Sequence, residues 1–234
     1  MLLNRIVSAL WPARCAGCNA FVAEGTAFCE ACEPSVVPLG RCCPGCAMPM
    51  DRGCACPGCR REPFPFAHAC AALAYGGSLT DVLLRWKHGG NRHLAPALAG
   101  YFVPLLGQAV EQGAEIACPV PLHPRRLRQR GFNQALDLLR AARALSRPAP
   151  HLAIVCDALQ RTVDTPSLGH APPGRRRQLL ADAFLVARPG RVAGKSVLVV
   201  DDVMTTGATL AECARVLLGA GAREVTVAAL ARAV

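Results

Sequence analysis

Lysine is nearly missing from this chain: Lys87 and Lys195 are the only two among 26 basic residues. The rest of the basic surplus is arginine, whose planar fork grips phosphate bidentately where lysine offers a point charge. That bias fits a nucleic acid or a phosphorylated small molecule as partner, and equally a skew in genome base composition. Aromatic residues are scarce at 5 %, so stacking platforms for single-stranded nucleic acid are few. No apolar run reaches the ~18 residues of a membrane helix. The Ala71 to Leu84 stretch is broken by Gly76-Gly77, Thr80 and Asp81. The opening Met1 to Leu10 segment is apolar in flavour but too short and interrupted for a secretory core, and no small-residue cleavage site follows. A cytoplasmic protein is expected.

Cysteine, by contrast, is abundant, and ten of the 14 lie between Cys15 and Cys59. Cys15-x-x-Cys18 and Cys29-x-x-Cys32 form one pair of knuckles, and Cys43-Pro44-Gly45-Cys46 and Cys56-Pro57-Gly58-Cys59 a second. This spacing lets both thiolates of one tight turn reach a tetrahedral metal at about 2.3 Å. Four knuckles give two Cys₄ zinc sites, structural because they leave no open coordination position. Sequential pairing would make a double zinc ribbon, and alternate pairing a cross-brace. Sequential is favoured because each half closes a short loop. Cys42 and Cys54 are neighbours able to substitute, and His68 and Cys70 are weaker ligand candidates. With eight thiolates on two Zn²⁺ ions, the formal charge of +10 falls to about +6. A division at residues 1–62 and 63–234 follows. The first piece is near the size that needs metals to fold, and the second is large enough for its own core.

Beyond Pro63-Phe64-Pro65-Phe66, read as a hinge, the pattern alternates. Helices are expected over Leu79 to Lys87, His93 to Gln112 (with Pro96 and Pro104 as kinks), Leu127 to Leu145, and Ala208 to Leu218. Strands are expected over Glu115 to Val120, Ile154 to Leu159, Phe184 to Ala187, Val197 to Val200 and Glu224 to Leu230. The turn-rich stretch from Arg161 to Gln178 exceeds the usual connection and reads as a mobile lid. Such alternation implies an α/β fold, a parallel sheet flanked by helices.

The most informative segment runs Val197-Leu198-Val199-Val200-Asp201-Asp202-Val203-Met204-Thr205-Thr206-Gly207-Ala208-Thr209. An apolar strand meets two carboxylates, then a hydroxyl- and glycine-bearing turn, then a helix. Open α/β sheets bind ligands at the carboxyl ends of their strands. Loop amides, threonine hydroxyls and a helix N-terminus make an anion cradle. Two carboxylates beside it suit the vicinal hydroxyls of a ribose. A response-regulator domain would need about a hundred residues beyond Asp202, and 32 remain. The Walker phosphate loop is absent.

This segment resembles the phosphoribosyl pyrophosphate motif of type I phosphoribosyltransferases. With the four knuckles it looks like the ComF family of competence-associated, amidophosphoribosyltransferase-like proteins. Trp86-Lys87-His88-Gly89, Pro119-Val120-Pro121-Leu122, Arg130-Gly131-Phe132-Asn133-Gln134 and Ala183-Phe184 extend the resemblance along the chain. Two positions depart from it: Leu168 and Leu179 stand where the family often carries Gln and Asn.

The resemblance implies binding of phosphoribosyl pyrophosphate with Mg²⁺. Asp201 and Asp202 would take the ribose hydroxyls, and Thr205, Thr206, Gly207, Ala208 and Thr209 the 5-phosphate. The turn after the Glu115 to Val120 strand would face the pyrophosphate, with Arg125, Arg126 or Arg130 nearby. Lys87 and His123 are weaker candidates, each favoured as surface. A pentosyl transfer to an acceptor that the residues do not identify is one reading. The other is a non-catalytic accessory protein that binds nucleic acid, single-stranded DNA or DNA-uptake proteins among its partners, and keeps the pocket as a sensor. Arg125 to Arg130 and Arg175-Arg176-Arg177 speak for the second.

Overall fold

The computed structural model describes residues 12–51, 54–146, 151–165 and 180–234. Seven strands and six α-helices organise these residues. They run α1 (Pro57–Arg61), β1 (His68–Ala74), α2 (Gly77–His88), α3 (Leu94–Glu111), β2 (Ile116–Pro119), α4 (Pro124–Arg130) and α5 (Gln134–Leu145). Then come β3 (Ala153–Ile154), β4 (Leu159–Arg161), β5 (Phe184–Val186), β6 (Ser196–Met204), α6 (Ala208–Gly219) and β7 (Glu224–Arg232). Five strands form a parallel sheet in the order β1-β7-β6-β2-β3, and β4 pairs antiparallel with β5 in a separate hairpin.

β6 is central because its residues are apolar on both faces, Val197 to Val200 being at most 1 % exposed. Successive side chains alternate between faces. Val197 and Val199 join α6 residues Leu210, Cys213 and Leu217 in one core. Leu198 and Val200 join α2, α3 and α5 residues in the other, around Trp86, Leu98 and Leu138. The β2–β3 connection leaves β6 on one side and the β6–β7 connection leaves β2 on the other. The carboxyl ends of these two neighbours, paired as Pro119 with Val200, therefore form a topological switch point, where such sheets bind ligands.

The cysteine knuckles are not set apart from this body. Cys43, Cys46 and Cys59 belong to the α6 core, and Cys15 and Phe28 to the α2–α3 core. The segment between the two ribbons covers the β1 edge, Leu39 N–H donating to Ala72 O at 2.8 Å and Ala74 N–H to Val37 O at 2.8 Å.

Two expectations need correcting. The Leu127 to Leu145 helix is two helices. Gly131, at φ +80°, ends α4, and the Asn133 side chain caps α5 by accepting from Leu136 N–H. The Ile154 to Leu159 strand is only β3 and β4, interrupted between them. The His68–Ala74 stretch, to which the pattern assigned no element, is an edge strand of the main sheet. α3 runs unbroken through Pro104. Most of the expected lid, 166–178, lies outside the described residues, as do Arg175 to Arg177, Leu168 and Leu179.

Candidate metal centres and ligand cleft

Cysteine pairing is sequential. Cys15, Cys18, Cys29 and Cys32 converge in one cluster and Cys43, Cys46, Cys56 and Cys59 in another, with all sulfurs of a cluster within 4.8 Å of one another. Zn–S bonds of about 2.3 Å in a tetrahedron put sulfurs about 3.8 Å apart. Cys18 and Cys29 stand at 3.6 Å and Cys46 and Cys56 at 3.8 Å. The two halves repeat one design. Each first knuckle is closed by an antiparallel bridge, Arg14 to Phe21 and Cys42 to Pro49, and turns through a positive φ, at Asn19 and Ala47. Gly17 and Gly45 leave room for the opposing knuckle: a Cβ would stand 2.7 Å from Cys32 Sγ in the first and 3.1 Å from Cys59 Sγ in the second.

Backbone amides aim at the sulfurs, Cys29 N–H to Cys15 Sγ at 3.3 Å and Cys56 N–H to Cys43 Sγ at 3.2 Å. Burial opposes ionisation of Cys15, but the amides of Cys18, Cys29 and Gly17 outweigh it and bring the thiol down to about 6. The Cys59 amide leads in bringing Cys56 down to about 7. Zinc takes thiolates, the form that amides aimed at Cys15 and Cys56 favour. Cys42, Cys54, His68 and Cys70 belong to neither cluster. Cys70 sits on β1, its Sγ 3.5 Å from Val227 O, and burial pushes its thiol up to about 12.

At the switch point lies a cleft of about 680 Å³. Lys87 from α2, Arg126 and Arg130 from α4, Arg161 from β4, and Asp201 and Asp202 from β6 line it. Cutting the chain at Gly131 makes this wall, because the short α4 turns residues 126 and 130, one helical turn apart, to the same side. Arg125 and Arg128 fall on the outer face, and the Arg125 side chain is 70 % exposed. His123 caps α4, accepting from Arg125 N–H at 3.4 Å.

The two acids are not equivalent. Asp202 is buried and paired, its Oδ2 2.9 Å from Lys87 Nζ. Burial works to lower the Lys87 pKa, and Asp202 raises it on balance. Asp201 has no cation paired with it among the described residues and accepts from the Asp202 N–H at 2.9 Å. Burial and the Asp202 charge push its carboxyl up to about 8. Lys87 thus belongs to the cleft rather than to bland surface.

Past Met204 the chain turns through Thr205 and Thr206 to Gly207, whose φ of +80° makes it the left-handed cap of α6. A Cβ there would meet Met204 Cε at 2.8 Å and Phe64 Cε1 at 3.2 Å, side-chain atoms that can give way, so the left-handed φ is what holds the position to glycine. Thr206 Oγ1 accepts from Ala208 N–H at 3.4 Å. A recess of about 20 Å³ lies among Asp201, Thr205, Gly207 and Thr209, and Thr209 also lines the main cleft.

Two further cleft residues escaped sequence reasoning. Arg161 is buried, donates to Thr165 Oγ1 and lies over the Phe184 ring, while Arg126 donates to Thr165 O and meets Asp164 at 3.3 Å. Gln134 is 2 % exposed and accepts from Arg130 Nη1 at 2.7 Å, its amide nitrogen having no partner among the described residues. The Arg-x-x-x-Thr spacing was the available signal for Arg161. None marked Gln134 beyond its place in the Arg130 to Gln134 run.

Residues 139–233 match the phosphoribosyl transferase domain family and residues 6–60 the double zinc ribbon domain family. The DNA utilization protein YhgH of Escherichia coli K12 is 31 % identical over 210 residues, spanning 88 % of this chain and 90 % of that protein. The competence protein ComFC of Bacillus subtilis is 25 % identical over 200 residues, 82 % of this chain and 78 % of the relative. That of Streptococcus pneumoniae is 26 % identical over 213 residues, 89 % of each. With two tetra-cysteine clusters in a double zinc ribbon and a phosphoribosyl transferase domain built on a parallel sheet, this chain belongs to the ComF family.

Proposed function

We propose that the cleft binds phosphoribosyl pyrophosphate with Mg²⁺ and that the protein transfers the phosphoribosyl group. One observation carries this reading: at the switch point an uncommitted acid, Thr209 and four cationic side chains line one cleft, and Thr205, Gly207 and Ala208 of the glycine-capped threonine loop line the recess beside it. The 5-phosphate sits on the amides and hydroxyls of residues 205–209, at the N-terminus of α6, where an anion is favoured. Asp201 accepts from the ribose hydroxyls, and Asp202 is held for the same task by Lys87. Arg126 and Arg130, beside the turn after β2, face the pyrophosphate, and exposed Arg125 has the weakest claim of the three. Asp201 would supply the hard oxygen donor that Mg²⁺ takes, and the bound ion would offset charge on the pyrophosphate. In the transfer, the bond from ribose C1 to the pyrophosphate oxygen breaks and an acceptor nucleophile bonds to C1. Fixed cations around the departing oxygens lower the barrier. Calorimetric titration of phosphoribosyl pyrophosphate with and without Mg²⁺, followed by an assay for pyrophosphate release, tests it. Absence of binding in both would sink the reading.

A second reading has its own support. The relatives are named for DNA utilization and competence, and the outer face of α4 presents Arg125 and Arg128 away from the cleft. A DNA-handling protein working in the cytoplasm alongside the uptake machinery would use that face and keep the cleft as a ligand sensor. Among the described residues no helix is long and apolar enough to cross a membrane. Ligand binding without pyrophosphate release favours this alternative.

A further inference from the structure

Arg232, the last residue of β7, is 6 % exposed and spans two parts of the molecule. Its Nε donates to Cys46 O at 2.8 Å, inside the second cysteine cluster. Its Nη1 donates to Met204 O at 3.2 Å and to the carbonyls of Thr205 and Ala233. One guanidinium thus ties a metal knuckle to the first residues of the threonine loop.

Every acceptor is a neutral carbonyl, and among the described residues no carboxylate pairs with Arg232. A buried charge without a counter-charge is costly. The ionisable groups facing it are the sulfurs of Cys46 and Cys59, both members of the second cluster, and of Cys42 outside it. Four thiolates around one Zn²⁺ carry a net charge of −2, so a loaded cluster supplies the missing counter-charge. The loop is clasped from the same side by Phe64, stacked on Phe66 at 4.9 Å and packed against Gly207. The first cluster is tied elsewhere, through Arg85 on α2, which donates to the carbonyls of Ala16 and Gly17.

We propose that Arg232 is a positioning residue that couples zinc in the second cluster to the phosphate loop, so that the metal sets how tightly residues 205–209 hold a phosphorylated ligand. The coupling rests on the ligand reading given above. Energetic coupling between two sites is reciprocal: if zinc favours the ligand, the ligand must hold the zinc.

Chelator-driven zinc release from the full chain, followed with a colorimetric indicator, reads this without any assay of turnover. Saturating phosphoribosyl pyrophosphate with Mg²⁺ should slow release from the second cluster, the phase that remains in Cys15→Ser, about five-fold or more, and leave the first within two-fold. Lysine at position 232 keeps the charge but cannot fork between Cys46 and Thr205. Arg232→Lys should retain both zincs, bind the ligand more weakly and abolish the ligand's effect on release. Binding intact in a separate titration, with both wild-type release phases unchanged by ligand, overturns the coupling and spares the ligand site. No binding at all overturns both. The wild-type measurement decides the matter even if the variant fails to fold.

Discussion

Lys87 Nζ stands 2.9 Å from Asp202 Oδ2, so one of two adjacent carboxylates is held by a cation before any ligand arrives. Strand alternation sends Asp202 toward the α2 side of the sheet and Asp201 toward the α6 side. One acid is therefore fixed and the other left free for a ligand. Lys87→Met should lower stability by about 1–3 kcal/mol, since it leaves the largely buried Asp202 carboxylate without its partner. In a double-mutant cycle with Asp202→Asn, the pair should show a coupling of at least about 0.5 kcal/mol. Strict additivity in thermal unfolding would mean the ion pair contributes nothing.

Asp201 carries the pH prediction. Its folded pKa, near 8, lies above the unfolded value of about 3.9, so the protonated acid is the form the fold prefers. That contribution is complete below about pH 4 and is lost as pH rises to 8. Asp201→Asn should flatten the fall in melting temperature between pH 5 and 8. At pH 8 it should be more stable than wild type by about 1–2 kcal/mol, or about 2–8 °C. Its affinity for phosphoribosyl pyrophosphate should drop roughly ten- to a hundred-fold. A variant less stable at pH 8 that still binds like wild type contradicts both halves.

Gly207 is constrained twice, by conformation and by space. Gly207→Ala should weaken ligand binding at least ten-fold, because a side chain strains the left-handed cap of the loop and displaces Met204 and Phe64, which pack against it. Gly221 has a comparable φ of +89° and only ordinary van der Waals neighbours around a Cβ. Gly221→Ala should cost about 1 kcal/mol of stability and leave affinity alone. Equal effects on binding would remove the steric argument.

Metal analysis of reduced protein should give close to two zinc ions per chain, one of them lost in each of Cys15→Ser and Cys43→Ser. A finer test compares the knuckle glycines. Gly17→Ala should weaken its cluster more than Gly45→Ala, since its Cβ would approach sulfur to 2.7 Å rather than 3.1 Å. The reverse order in chelator competition would speak against the sulfur geometry.

The arginines of α4 divide by face. If DNA binds the outer face, Arg125→Ala with Arg128→Ala should flatten the log–log salt dependence by about 0.7 for each single-strand phosphate that the pair neutralised. Affinity for phosphoribosyl pyrophosphate should not change. Arg126→Ala with Arg130→Ala should do the opposite. The same pair governing both ligands would collapse the two faces into one site.

Chemistry confined to a few consecutive residues was legible in the chain. A C-x-x-C turn puts two sulfurs on one metal whatever surrounds it. An apolar strand running into Asp201-Asp202 and the Thr205 to Thr209 turn is legible locally as a strand, a loop and a helix cap, because the three are contiguous. Tertiary structure decided the rest. Which knuckles pair, the break at Gly131 that aims Arg126 and Arg130 into the cleft, and the place of β1 at a sheet edge all depend on packing. So do Lys87 on Asp202, Arg161 in the cleft wall and Arg232 between a zinc knuckle and the loop. A lone cationic side chain in a sequence reads as solvated surface. Its partner, a carboxylate or a row of carbonyls far along the chain, becomes its neighbour only when the sheet brings their strand ends together.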